Sequence, residues 1–247
     1  MNRVPIGIEG FDKLVEGGFT ENSINLVCGT PGTGKSIFSL QFLYNGAVNH
    51  GDKGIYVSIE EKPESLKLQA LRFGWDFDKL EKEGMVKIIK VPIDIANYDI
   101  VKAIRQEVES MNARRVVIDA ISILAINYPI YKIPIRTAYS QSEMTKTQYM
   151  NFSEQMRQFV YLLIDKLRTV NTTFLITGDS VGHSGFLTRD TVSEFISDAV
   201  IEIKMITMGK TVNRTLEIKK MRVTSIQPGL NTMVIDKNGI SVLPFEY

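Results

Sequence analysis

Residues 29 to 36 read Gly-Thr-Pro-Gly-Thr-Gly-Lys-Ser, a complete G-x-x-x-x-G-K-[ST] loop. Such a loop must sit between a buried strand and a helix. Its glycines let successive backbone N–H groups turn toward one phosphate, and the helix that follows adds the positive end of its dipole. The flanks comply: Ile24 to Cys28 is short, apolar and β-prone, and Leu40, Leu43, Tyr44 and Ala47 recur at helical spacing after Ser36. Nucleotide contacts are therefore expected from Thr30, Pro31, Gly32, Thr33, Gly34, Lys35, Ser36 and Ile37. Lys35 is suited to the β and γ phosphates, and the Ser36 hydroxyl to Mg²⁺.

A chain of 247 residues, 44% apolar, can bury a full core, and one domain spanning 1–247 accounts for that length. Lys plus Arg is 29 against 28 for Asp plus Glu, so attraction to nucleic acid or an anionic membrane would have to be local. Cys28 is the single cysteine, which excludes an internal disulfide and fits a reducing cytoplasm, as a small apolar packing residue. No N-terminal apolar segment and no apolar run of about 18 residues occurs, so neither export nor membrane spanning is expected. His50 and His183 are the only histidines, which leaves no metal cluster beyond Mg²⁺.

Apolar runs then alternate with helical patterns, the mark of βαβ units around a mostly parallel sheet. Strands are expected at 24–28, 54–59, 86–91, 115–119 and 173–177, with helices near 35–49, 63–73, 97–112 and 152–170. The last helix carries Phe152, Met156, Phe159, Val160, Leu163, Ile164 and Leu167 on one face. From about residue 198 the pattern turns to β, at 199–206, 211–221, 232–236 and 240–243, with Asn238-Gly239 marking a hairpin. This end is expected to extend the same sheet in antiparallel fashion. Trp75, in Phe-Gly-Trp-Asp after a helix, is expected to be a packing anchor.

Three further patterns bear on chemistry. Arg115 to Asp119 is a buried strand ending in a carboxylate, which places Asp119 opposite Ser36 in a Mg²⁺ shell. Ser58-Ile59-Glu60-Glu61 closes a strand with paired carboxylates; one of them can serve as general base toward water, or the pair can cap the helix after Pro63. Lys220 and Arg222 project to one face of a late strand, and pattern alone makes them a solvated basic edge.

The segment from Val4 to Asp12, then Gly17-Gly18-Phe19 and the phosphate loop, resembles the opening of a domain of the KaiC family in the RecA/RadA superfamily. The similarity runs on through Ser58 to Pro63, Phe73 to Asp76, Val116 to Asp119, Glu194 to Asp198 and Lys220 to Ser225, nearly the whole chain. The resemblance implies a RecA-like α/β fold, an ATPase using ATP and Mg²⁺, and a homohexamer with ATP between neighbours. It implies that Glu60 and Glu61 activate water, and that Lys220, Arg222 and Thr224 reach the neighbour's nucleotide, with Arg214 near the nucleotide as well. Two positions depart from the pattern: Val223 stands where the family commonly has Gly, and Ile226 where it often has His.

Two functions follow from ATP binding. In one, the ring is a nucleotide-dependent switch or scaffold that recruits a protein partner. In the other, the loops at 127–151 and 179–192 hold single-stranded DNA through Lys132, Arg136, Lys146 and Arg189 with stacking tyrosines. A third, an autokinase, would need Thr188, Thr191 or Ser193, because Glu194 and Phe195 occupy the positions where related rings carry phosphorylated Ser and Thr.

Overall fold

The computed structural model describes residues 2–91, 99–126, 152–180, 186–208 and 211–244. Two short strands, β1 (Arg3–Val4) and β2 (Phe19–Thr20), pair antiparallel around a helical turn at Asp12–Val15. Next come β3 (Ile24–Gly29), α1 (Lys35–His50), β4 (Gly54–Ser58), α2 (Pro63–Leu71), α3 (Phe77–Lys82), β5 (Val86–Lys90), α4 (Ile100–Met111) and β6 (Arg115–Asp119). The chain continues with α5 (Ile121–Ile126), α6 (Phe152–Leu167), β7 (Thr173–Asp179), α7 (Ser193–Ile196), β8 (Ala199–Met208), β9 (Thr211–Met221), β10 (Leu230–Asp236) and β11 (Gly239–Pro244).

The large sheet runs β11-β10-β9-β8-β3-β7-β6-β4-β5. β3 lies inside it, parallel to both β7 and β8, and every residue is buried, which is why it reads as an apolar run broken only by Asn25, whose amide donates to the carbonyl of Phe174 at 2.9 Å. The antiparallel extension begins only at β9: β8, expected to belong to it, pairs parallel with β3 and antiparallel with β9. Register aligns Gly29 with Asp179, and Ser58 with both Lys90 and Asp119, so the carboxyl ends of these strands form one edge. In such sheets ligands sit beyond that edge.

Helices cover both faces. Against one, Phe11, Phe19, Phe38 and Phe42 pack edge to face, tying the N-terminal segment to α1. Against the other lie α4 and α6, whose expected stripe of Phe159, Val160, Leu163, Ile164 and Leu167 is buried. Trp75 is buried as an anchor, stacked on Phe73 and Tyr44. Arg115 is fully buried, and its guanidinium meets Asp52 at 2.7 Å and the carbonyls of Pro5 and Phe42. The short helices α3 and α5 were not expected; with only about one and a half turns each they carry little periodic signal. In the β10–β11 hairpin Asp236 pairs with Gly239, so Lys237 and Asn238 form the turn and Gly239 takes the positive φ of 109°. Among the described residues no helix is long and apolar enough to cross a membrane.

Candidate active site

β3 delivers the loop at Gly29, where an added Cβ would stand 2.4 Å from the carbonyl oxygen of Ile203. Gly34 caps α1 with φ 111°, a conformation closed to side chains, and a Cβ there would meet Ile235 at 2.8 Å. Thr33 closes the turn, its hydroxyl donating to the carbonyl of Thr30 at 2.8 Å, while Pro31 and Gly32 are exposed at the loop's crest. Lys35 is buried; its Nζ donates to the carbonyl of Gly29 at 2.8 Å and stands 3.2 Å from Asp179. Asp179 also accepts from the Ser122 hydroxyl at 2.9 Å.

Asp119 ends β6 beside this loop. The Tyr56 hydroxyl and the Thr177 hydroxyl each donate to one of its carboxylate oxygens. Ser36 lies near the same phenol, whose ring is fully buried. Burial, reinforced by the Asp119 charge, holds the Tyr56 phenol well above its ordinary pKa, which keeps it a donor. A hydroxyl and a carboxylate so placed are hard oxygen ligands, and Mg²⁺ typically takes only one or two protein carboxylates and keeps several waters. The residues present fit that ion; among the described residues no group of three or more His, Cys, Asp or Glu forms a denser site.

Glu60 and Glu61 follow β4. Glu61 is half-buried and tied to α2, accepting from the Ser65 hydroxyl at 3.1 Å and from the Gln69 amide. Glu60 is exposed. Lys90 anchors the turn by donating to the carbonyl of Ile59 at 2.6 Å, and burial lowers its pKa. Ile37 lines a groove beside the loop together with Gln69, Arg72, Phe73, Ile235 and Asp236.

β9 carries its cations to both ends of the sheet. Arg214 reaches the carbonyl of Gly32 at 3.5 Å. Arg222 lies at the other end: its backbone N–H donates to Asp198, whose own N–H donates to Ile24, where β3 begins. From Ile24 to Gly29 is about 17 Å at about 3.3 Å per residue. Arg222, Lys220 and Thr224 are thus beyond reach of the chain's own loop. Arg222 pairs with Asp198 at 3.2 Å, and Lys220 donates to the carbonyls of Phe195 at 2.8 Å and Glu194 at 3.3 Å. Burial lowers the Lys220 pKa, and the positive charge of Arg222 adds to the effect. Thr224 accepts from Arg3 at 2.6 Å. Val223, at the family's Gly position, has φ 55°, a left-handed conformation that strains a β-branched residue.

Sequence reasoning missed Tyr56, Ser122, Thr177 and Asp179 as site residues. Asp179 carries the same signal as Asp119, a carboxylate ending an apolar strand; Tyr56 carries none, being one apolar position among several in β4. Thr188 and Ser193 are fully buried in a knot with Asp190 and Glu194, which removes them as accessible phosphate acceptors, and Thr191 is half-buried. Of the residues nominated for DNA, Arg189 is exposed, whereas Lys132, Arg136 and Lys146 fall outside the described residues, as does His183. His50 is exposed at the end of α1.

A family profile described as "ATPase: KaiC" matches residues 4–138 and 140–247. The circadian clock oscillator protein KaiC of Synechococcus elongatus is 33% identical over 237 residues, 96% of this chain and 43% of that protein. That of Acaryochloris marina is 30% identical over 246 residues, again 96% and 43%. The chain therefore spans less than half the length of these curated relatives. The crystal structure of a KaiC-like protein from the hyperthermophilic archaeon Pyrococcus horikoshii OT3 superposes with a TM-score of 0.80 at 32% identity, covering 98% of this chain and 99% of that one.

Proposed function

Because the chain belongs to the KaiC family of ATPases, we propose that it binds ATP with Mg²⁺ on the loop at 29–36 and hydrolyses it within a cytoplasmic homohexamer. One domain spanning the chain is the ring subunit, and each nucleotide lies between two of them. The observation that carries this is the placement of Lys220, Arg222 and Thr224 at the sheet end opposite their own loop. Arg168, Lys220 and Arg222 crowd there against Asp198 and Asp165, a surplus of positive charge on the surface. An anion brought by a neighbouring copy relieves that surplus.

In this scheme the triphosphate displaces Asp179 from Lys35, and the loop N–H groups with Lys35 hold the β and γ phosphates. Ser36 and Asp119 would hold Mg²⁺, which would neutralise charge on those phosphates. Tyr56 and Thr177 keep the Asp119 carboxylate in one orientation. Glu60, exposed at the strand end, takes the proton from the attacking water, while Glu61, anchored by Ser65 and Gln69, sets the turn. Arg214 serves the phosphates in cis; Arg222 and Lys220 of the next copy stabilise the charge that develops on the transferred group. The groove beside Ile37 receives the base.

The same geometry favours the reading of the ring as a nucleotide-dependent switch. The N–H of Arg189 donates to the carbonyl of Asp179, Glu194 accepts from the N–H groups of Leu187 and Thr188, and the Glu194 carbonyl holds Lys220. One short segment thus joins the chain's own loop to the cations it presents to a neighbour.

Complementation tests the shared site. Arg222→Ala should lower turnover by roughly a thousandfold or more, the scale of an arginine supplied in trans, and Glu60→Gln with Glu61→Gln should abolish it while ATP still binds. Mixing the two inactive proteins should restore hydrolysis at mixed interfaces. No recovery on mixing would show that Arg222 does not act across subunits.

A further inference from the structure

Asp198 sits where β3, α6, α7 and β9 converge, and its carboxylate is crowded with donors. Oδ2 accepts from the backbone N–H of Ile24 at 2.9 Å. Arg168, the first residue after α6, contacts both oxygens, at 2.9 and 3.2 Å, and its second guanidinium nitrogen is fixed on the carbonyl of Ile196. Arg222 adds a single contact of 3.2 Å from a side chain that is 53% exposed. The two arginines are therefore unequal partners: Arg168 is held at several points, Arg222 at one. The Arg222 backbone does not depend on this contact, because Arg3 clasps the residues after it, donating to the Val223 carbonyl at 3.2 Å and to the Thr224 hydroxyl at 2.6 Å while paired with Glu16.

We propose that Asp198 is a docking carboxylate for Arg222 in the isolated chain, and that Arg168 is the positioning residue that lets Arg222 leave it. When Arg222 swings to a neighbour's phosphate, Arg168 and the Ile24 N–H still neutralise Asp198, so no partly buried charge is left bare. Without Arg168 the carboxylate holds Arg222 as its only directly ion-paired side chain among the described residues, and keeps it from the phosphate. This rests on the assignment of Arg222 to the neighbouring site.

Steady-state ATP hydrolysis by the assembled protein tests it, with melting temperatures recorded for each variant. Arg168→Gln should lower kcat by roughly fivefold, the scale of one partly exposed ion pair, with KM unchanged. Arg168→Lys should retain kcat. Asp198→Asn keeps an acceptor for Ile24 and should match or exceed the parent, and the double variant Arg168→Gln/Asp198→Asn should recover the rate lost in Arg168→Gln. A purely structural Arg168 predicts the opposite, a double variant no better than the single. That result, or a slowed Asp198→Asn with unchanged melting, overturns the proposal while Arg222→Ala stays impaired. Full turnover in Arg222→Ala instead removes the shared site itself, and the proposal with it.

Discussion

Cys28 stands one residue before the phosphate loop, and its thiol donates to the carbonyl of Ile201 at 3.5 Å in a fully buried position. Burial, with the charge of Glu202 as a smaller contribution, pushes the thiol up to about 12. The thiolate is the reactive form, so in the folded chain this cysteine is inert. Above about pH 8.5 the unfolded chain gives up its thiol proton, while the native chain keeps it up to about 12. The native state then binds more protons, and stability falls as pH rises through that window. Iodoacetamide at about pH 9 should leave the native protein unlabelled and label it in step with urea unfolding, read by mass spectrometry; rapid native labelling would contradict the burial. The sequence already suggested a packing role for Cys28, since a small apolar side chain suits a buried strand. It offered no such hint for Tyr56, whose partners Asp119 and Ser36 come from β6 and α1.

At the scale of elements, α6 shows what periodicity can and cannot convey. Its apolar stripe faces the sheet as expected, with Phe159 fully buried and Tyr161, two residues on, 53% exposed. Phe159→Ala should cost about 3–5 kcal/mol of unfolding free energy, the usual range for a buried aromatic, whereas Tyr161→Ala should fall within about 0.5 kcal/mol of the parent. Urea titration followed by circular dichroism distinguishes them, and equal losses would mean that the stripe is misplaced. β9 is the contrasting case. Alternation along the strand put Lys220 and Arg222 on one face but was silent on which end of the sheet they occupy. That end follows from pairing with β8 and β3, contacts made between residues far apart in sequence. β8 pairs antiparallel with β9 as expected, and its parallel pairing with β3 was not legible for the same reason, because an apolar run does not specify the direction of its neighbour.

For the whole molecule, the carboxyl edge of the parallel strands gathers Lys35, Ser36, Glu60, Glu61 and Asp119, while the basic strip lies at the opposite end. Under the proposed function, a subunit built this way completes its site only beside a copy. Purified protein given ATP and Mg²⁺ should therefore run as a particle of six chain masses in light scattering and hydrolyse ATP; a monomer active under those conditions would rule out the shared site. The loop motif, the strand-end Asp119 and the paired glutamates were all legible in the sequence, because each is a local pattern whose chemistry depends on adjacent residues. The position of Arg222 at the far end of the sheet, the hydrogen bond of Tyr56 to Asp119, and the sharing of Asp198 by two arginines were decided only by tertiary structure. They depend on strand order and register, which join segments that no local spacing relates.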